Sequence, residues 1–586
     1  MSGPLLMATV VESPLSPVME MCEMEDRVRM SWRDFLFAPV DIASLVCFRI
    51  LFGAMMVYHV ASTLKSGWID YLYVRPVMHF TYPGFGWVQP WPGQGMYWHF
   101  YVMAAAAAGI TFGACYRLCA FVFAMGMAHV FLIEKAFYLN HYYLIVLLSG
   151  LLVVLPAHRA LSIDSWLRPS LRSQSVPAWT LWLLRLQLAI PYFYGGLAKL
   201  DSDWLQGYPL GMWLKRRADL PWIGPWLEHA SAGIVFAYGG MLLDLLIVPL
   251  LLWKRTRWPA YILAIVFHGL NSVLFEIGIF PWLMMAATLI FFPPDWPRRL
   301  RACFRWEGEA PAEPNATAGR RPPEAFSFDK ASGGRRAIAR IRLGGSLALP
   351  ALGILRRVLG VSLIAPRSDA TESEAISAPH PFSAPSRSRQ NLVVSALAVY
   401  VAWQLLFPLR GILYPQAAIW TEEGHHFAWQ MMLREKDVGI RFYIRNPRTG
   451  GGGVVDVSSF LTERQMSRMG KDSDMILTFV HFLRDHFRKH GQGTLQIRVL
   501  ALVSLNGRKP QLMLDPGYDY AQVPRIWGPQ PWILPLKEPL RRDPWVVPLT
   551  EWEQHVEAPS PAEMIQPAPK QWVRATVGNE LVEEEF

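Results

Sequence analysis

Cysteine is scarce: five in 586 residues, Cys22, Cys47, Cys115, Cys119 and Cys303. None lies at metal-site spacing, and four sit in or near apolar blocks. That excludes a disulfide framework and a zinc module, and no metal is expected. Charge is scarce too. Asp, Glu, Lys and Arg make up 17% of the chain, where a soluble protein carries nearer a quarter. That excludes an ordinary cytosolic enzyme, a coiled coil and a disordered scaffold. The first thirty residues lack a cleavable apolar core, so the first apolar block reads as a retained signal anchor. The formal charge of +10 does not require a nucleic-acid partner, because membrane proteins place basic residues in their loops.

Hydrophobic residues are 52% of the chain and gather in blocks of roughly twenty, the length that crosses a bilayer as a helix. Nine candidate spans follow: Ser44 to Ser62, Trp98 to Ala114, Leu118 to Ile133, Tyr138 to Pro156, Ala178 to Ala198, Ile234 to Trp253, Pro259 to Leu274, Ile277 to Phe292 and Leu392 to Phe407. The expected fold is a mainly α, multi-pass transmembrane bundle of about eight or nine spans with a C-terminal, mostly β, extracytoplasmic domain. Basic clusters such as Arg27–Arg33 and Arg298–Arg305 fall on one side of nine spans. The positive-inside rule then puts the N-terminus in the cytoplasm and the C-terminal domain in a lumen or periplasm.

The expected organisation is a cytoplasmic tail (1–36), a multi-pass membrane domain (37–300), a disordered basic cytoplasmic insert rich in Pro, Ala, Ser and Arg (301–390), a last span (391–408), the β-rich domain (409–545) and a tail (546–586). Within the insert, Gly344 to Ala365 has some amphipathic character. In the last domain, Val438 to Ile444 alternates like a strand and Met475 to His486 has helical periodicity. Asn506-Gly507 between two apolar runs signals a hairpin.

Charges inside spans are costly, and are paired or functional. Arg49, Arg185 and Asp244 are such charges. A structural pair of Arg185 with Asp244 is the plainer reading, and a proton path or substrate site the sharper one. Pro191 to Trp204 is the most informative stretch. Pro191 can kink its helix, Gly195 and Gly196 allow close backbone approach, and Lys199 stands one residue past the span. Lys199 either snorkels to the interface or sits in an apolar pocket as a neutral amine base. Asn140, His141, His268 and Asn271 fall at a similar depth, which suggests one cavity, although each histidine taken alone is better read as a core residue.

At these positions the chain resembles the vitamin K-dependent gamma-carboxylase family, with its HTTM-type membrane domain. The resemblance rests on Phe48 to Gly53, Asn140-His141-Tyr142-Tyr143-Leu144, Gly196 to Trp204, His268 to Ser272, Phe427 to Met432 and Asp515-Pro516. Ala198 stands where the vertebrate enzyme has a second lysine.

What the resemblance implies is an integral membrane enzyme that converts peptide glutamate to gamma-carboxyglutamate. Its co-substrates would be CO2, O2 and reduced vitamin K, with the epoxide as co-product. Lys199 would be the initiating base, His141 would stabilise charge and Asn140 would orient it. Met431, Met432, Trp429, His268 and Asn271 would line the quinone and glutamate site. The partners implied are a glutamate-containing protein or peptide and membrane lipid. A transporter, or a membrane protein of the same family without carboxylase activity, is the alternative. A carboxylase needs Lys199, His141 and the Met431-Met432 pair around one cavity, whereas a transporter needs a path lined from both sides.

Overall fold

The computed structural model describes residues 31–306 and 385–570, apart from Trp222, Glu276 and Trp527. Most of the insert expected at 301–390, with its amphipathic stretch, lies outside the described residues, as do most of the N-terminal tail and the end of the C-terminal one.

Each apolar block forms a helix: α1 (Ala43–Lys65), α2 (Gly95–Phe112), α3 (Tyr116–Ile133), α4 (Asn140–Val154), α5 (Trp179–Ala198), α6 (Ala230–Leu252), α7 (Arg257–Phe275), α8 (Phe280–Ala287) and α9 (Arg387–Leu406). By length and composition, five helices among the described residues can cross a bilayer: α1, α3, α6, α7 and the one beginning at Arg387. The expected count of eight or nine full spans is not reached on that measure. Of the four left out, α4 and α8 are short, whereas α2 and α5 are long enough at 18 and 20 residues and fall behind in composition. At 1.5 Å per residue, the 15 residues of α4 reach roughly 23 Å, short of a ~30 Å hydrocarbon core. The 8-residue α8 is extended only by the tighter turn Thr288–Phe291.

Consecutive helices α1 to α4 pack side by side, α5 to α8 do likewise, and α8 returns to α1. Small residues set the spacing: an added Cβ on Gly53 would lie 2.8 Å from the Thr111 backbone nitrogen. The outward faces keep large apolar side chains exposed, such as Leu242 and Leu246 on α6, Ile262 and Val266 on α7, and Val399 on α9. Lipid is the solvent that suits such a surface.

Beyond α9 the chain forms an α+β domain rather than the mostly β one expected. A two-stranded ribbon pairs β1 (Pro39–Asp41) with β2 (Ser175–Pro177) at the base of the bundle. The larger sheet is antiparallel in the order β4-β3-β5-β6, from β3 (Lys436–Arg445), β4 (Gly452–Val454), β5 (Gln496–Leu505) and β6 (Gln511–Leu512). Helix α10 (Glu463–Met469) and the amphipathic α11 (Ser473–Lys489) join β4 to β5, and Phe479 of α11 packs on Phe442 of β3. The strand, the helix and the Asn506-Gly507 turn all fall where the sequence pattern puts them. Asn506 and Gly507 both adopt positive φ, the backbone state that a tight reversal between strands needs. The apolar core of this domain also takes in Trp204, Leu210 and Leu214, so the chain just after α5 belongs to both halves.

Candidate active site

The site is built where α5 ends. Pro191 lies inside α5, and Lys199 caps its C-terminus. Gly195 and Gly196 do what the sequence suggests. An added Cβ on Gly196 would lie 2.8 Å from the Leu245 side chain on α6, and one on Gly195 would lie 3.0 Å from the Met431 methyl. These two positions let α6 and the Met431 loop close on the last turn of α5.

Lys199 is buried, with 6% of its surface exposed. This excludes a lysine that snorkels to solvent. Its Nζ donates to Gly195 O at 3.1 Å and to Asp244 Oδ2 at 2.6 Å, and lies 5.4 Å from the centre of the Trp204 ring. The expected apolar pocket therefore contains a carboxylate. The pair expected between Arg185 and Asp244 does not form, because Lys199 occupies Asp244. Arg185 donates instead to Ile290 O and Phe292 O, and Arg49 to Ala157 O and Leu161 O. Both arginines fix backbone turns away from the cavity.

The segment after Lys199 is clamped by the second domain. Buried Asp203 accepts from Arg508 through both oxygens, at 2.5 and 2.7 Å, and from Asn506 Nδ2 at 2.8 Å. The hairpin tip of the C-terminal domain thus holds the strand of chain that carries Lys199.

A cavity of about 1000 Å³ lies between the helices and this domain. It brings Lys199, Asp244, Asn140, His141, His268 and Asn271 together with Met431 and Met432. The His141 ring lies 5.8 Å from Phe280, and His141 makes no hydrogen bond among the described residues. Asn140 does not orient it. The amide accepts from Tyr138 Oη at 2.9 Å and donates to Gln430 O at 3.3 Å, so it ties α4 to the Met431 loop. His268 Nε2 bonds Tyr192 Oη at 2.7 Å, while its buried Nδ1 has no partner among the described residues. Trp429 is not a wall residue. It lies 4.9 Å from the Tyr143 ring in the core behind the cavity.

The backbone around Met431 is strained. Glu422, Phe427, Trp429 and Met432 all have φ between 56° and 66°. Non-glycine residues in that region cost on the order of 1–3 kcal/mol each and concentrate at functional sites. The loop is held in this state by a buried charge cluster that sequence reading missed. Glu422 accepts from Arg434 Nε at 2.5 Å and from Lys436 Nζ at 2.7 Å. Burial opposes the Glu422 charge, but Arg434 and Lys436 outweigh it and hold the carboxyl down to about 2. Burial pushes Lys436 down to about 8, with Glu422 working against the shift. Burial and then Arg434 hold His425 down to about 3, so its imidazole is neutral at neutral pH. The available signal was Glu422-Glu423 just ahead of the Met431 stretch, with Arg434 and Lys436 just behind it.

Residues 37–296 match the HTTM domain family, and residues 389–539 match the family described as vitamin K-dependent gamma-carboxylase, lumenal domain. The chain belongs to the vitamin K-dependent gamma-carboxylase family. No solved structure matches the chain. The two matched regions are the two halves that enclose the cavity: the HTTM domain supplies Lys199, Asp244, His141 and His268, and the lumenal domain supplies Met431, Met432 and the Glu422 cluster. The five long apolar helices make this carboxylase-family chain a membrane protein.

Proposed function

We propose that this chain is an integral membrane gamma-glutamyl carboxylase, with its C-terminal domain in a lumen or periplasm. It would convert peptide glutamate to gamma-carboxyglutamate with CO2, O2 and reduced vitamin K. The observation that carries the reading is the convergence of Lys199, His141, His268 and the Met431-Met432 pair, from distant parts of the sequence, on one cavity between the two family domains.

The cavity suits a lipid-tailed quinol. Its volume is that of a small-molecule site. The unpartnered Nδ1 of His268 offers a polar contact for a ring oxygen. Tyr58 and Trp282 line it and are also exposed on the outside of the bundle, so one mouth opens between α1 and α8 towards lipid. When bound, reduced vitamin K with O2 supplies a base far stronger than any side chain, which removal of a carbon-bound proton requires.

The residues of the chain do the rest. Nζ of Lys199 takes a hydroxyl proton. Gly195 O and Asp244 Oδ2 accept from this nitrogen and hold it at the cavity wall. Asp244 then supplies the counter-charge for the ammonium that forms. His141, without a side-chain hydrogen bond among the described residues, is available to a developing negative charge. Met431 and Met432 wall the cavity with polarisable apolar groups and keep water from the reacting carbon.

Membranes carrying the protein should fix labelled CO2 into a glutamate peptide when given reduced vitamin K and O2. Lys199→Ala should abolish fixation per unit of folded protein, and an added small amine should restore part of it. A wild-type protein that consumes no quinol and fixes no CO2 across a range of peptides would overturn the reading.

A further inference from the structure

The charge of the cavity does not balance. Its walls carry seven lysines and arginines against four aspartates and glutamates. Every carboxylate is matched: Asp244 by Lys199, Glu422 by Arg434 and Lys436, Asp472 by Lys135, and Glu435 by Arg216 from outside the lining. Three cations are left over: Arg464, Arg468 and Lys471. Among the described residues none has a carboxylate within ion-pair distance. Arg464 is held instead by its faces, 5.5 Å from the Trp68 ring and 5.1 Å from the Phe137 ring, and its buried Nε has no hydrogen-bond partner.

Arg464 and Arg468 share one face of α10 at i, i+4, Lys471 follows in the turn after it, and all three line the cavity. That face is rigidly placed. Thr462 and Gln465 form a capping box at the start of α10, and Gln465 Nε2 donates to Met78 O at 2.9 Å and to Glu134 Oε2 at 2.8 Å. Burial pushes the Arg468 guanidinium and the Lys471 amine down and neighbouring cations push them further, with Glu422 working against the shift at Arg468 and Asp437 and Glu435 against it at Lys471. Like charges fixed together repel, and an anion between them removes the repulsion.

We propose that Arg464, Arg468 and Lys471 form a carboxylate-binding rim that grips acidic side chains flanking the glutamate that enters the cavity. This rests on the carboxylase reading, and it selects peptides with clustered glutamates over peptides with one. An anionic lipid headgroup is the less suitable occupant. The rim lies on the C-terminal domain, whereas the mouth at Tyr58 and Trp282 is aromatic.

The test is fluorescence anisotropy of a dye-labelled hexaglutamate peptide against the purified full chain in detergent, without quinol. Wild type should bind. Combining Arg464→Gln, Arg468→Gln and Lys471→Gln should weaken binding on the order of tenfold, given roughly two- to threefold per partly exposed charge. Arg464→Lys with Arg468→Lys should keep most of the affinity, and added salt should erode it. Should the triple variant fold poorly, the three single variants read the same effect one charge at a time. No binding by wild type, or equal binding by well-folded glutamine variants, overturns the rim. So does a loss of affinity for phosphatidylglycerol vesicles in place of the peptide. CO2 fixation on the same preparation reads the carboxylase assignment separately. Rim-dependent binding without fixation sinks that assignment alone, and fixation without rim-dependent binding sinks the rim alone.

Discussion

Lys199 and Asp244 are each costly in the interior of a helix bundle, and each is tolerable because of the other. Replacing either one by leucine leaves a buried charge without its partner, which costs about 3–5 kcal/mol. Replacing both should cost clearly less than the two single changes added together. Thermal unfolding of the four proteins in detergent measures that coupling, and strict additivity would show that the pair is not energetically linked.

Glu422 gives a second expectation at the same scale. Its carboxyl lies near 2 in the folded chain against an ordinary 4.5. Its contribution to stability is therefore complete above pH 4.5 and is lost as pH falls towards 2. Glu422→Gln should flatten the fall in unfolding temperature across that acid range. An unchanged acid limb would contradict the cluster.

Elements explain why some of this was legible beforehand and some was not. The nine apolar blocks could be read because a bilayer dictates both length and composition. The β3 strand and the α11 helix could be read because each has one buried face. The partner of Asp244 could not. It stands 45 residues away on another helix, and only the axial register of α5 against α6, where Gly196 meets Leu245, decides whether Lys199 or Arg185, about 21 Å apart along α5, meets it. The role of Asn140 was missed because its bonds run to Tyr138 and to the Gln430 backbone of the other domain. The hairpin at Asn506 was legible, but its docking on Asp203 was not, since nothing local records it. That docking carries its own expectation. Arg508→Ala leaves Asp203 buried with only Asn506 for a partner and should cost about 3–5 kcal/mol. Limited proteolysis should then cut the linker region after α5 sooner than in wild type. An unchanged cleavage pattern would mean that the clamp does not hold the two halves together.

For the whole molecule, the orientation proposed from the basic loops has the start of the chain in the cytoplasm and the C-terminal domain across the membrane. A cysteine introduced at exposed Lys489, at the end of α11, should react with an impermeant maleimide only from the lumenal or periplasmic side. Labelling from the cytoplasmic side would reverse the orientation. The two halves also set a condition on biosynthesis. The chamber has a floor from one half and a ceiling from the other, so a nascent chain that has threaded its helices but not yet folded its final third has no chamber at all. On the carboxylase reading, such a chain cannot burn quinol wastefully, and the last folding step is what switches the enzyme on.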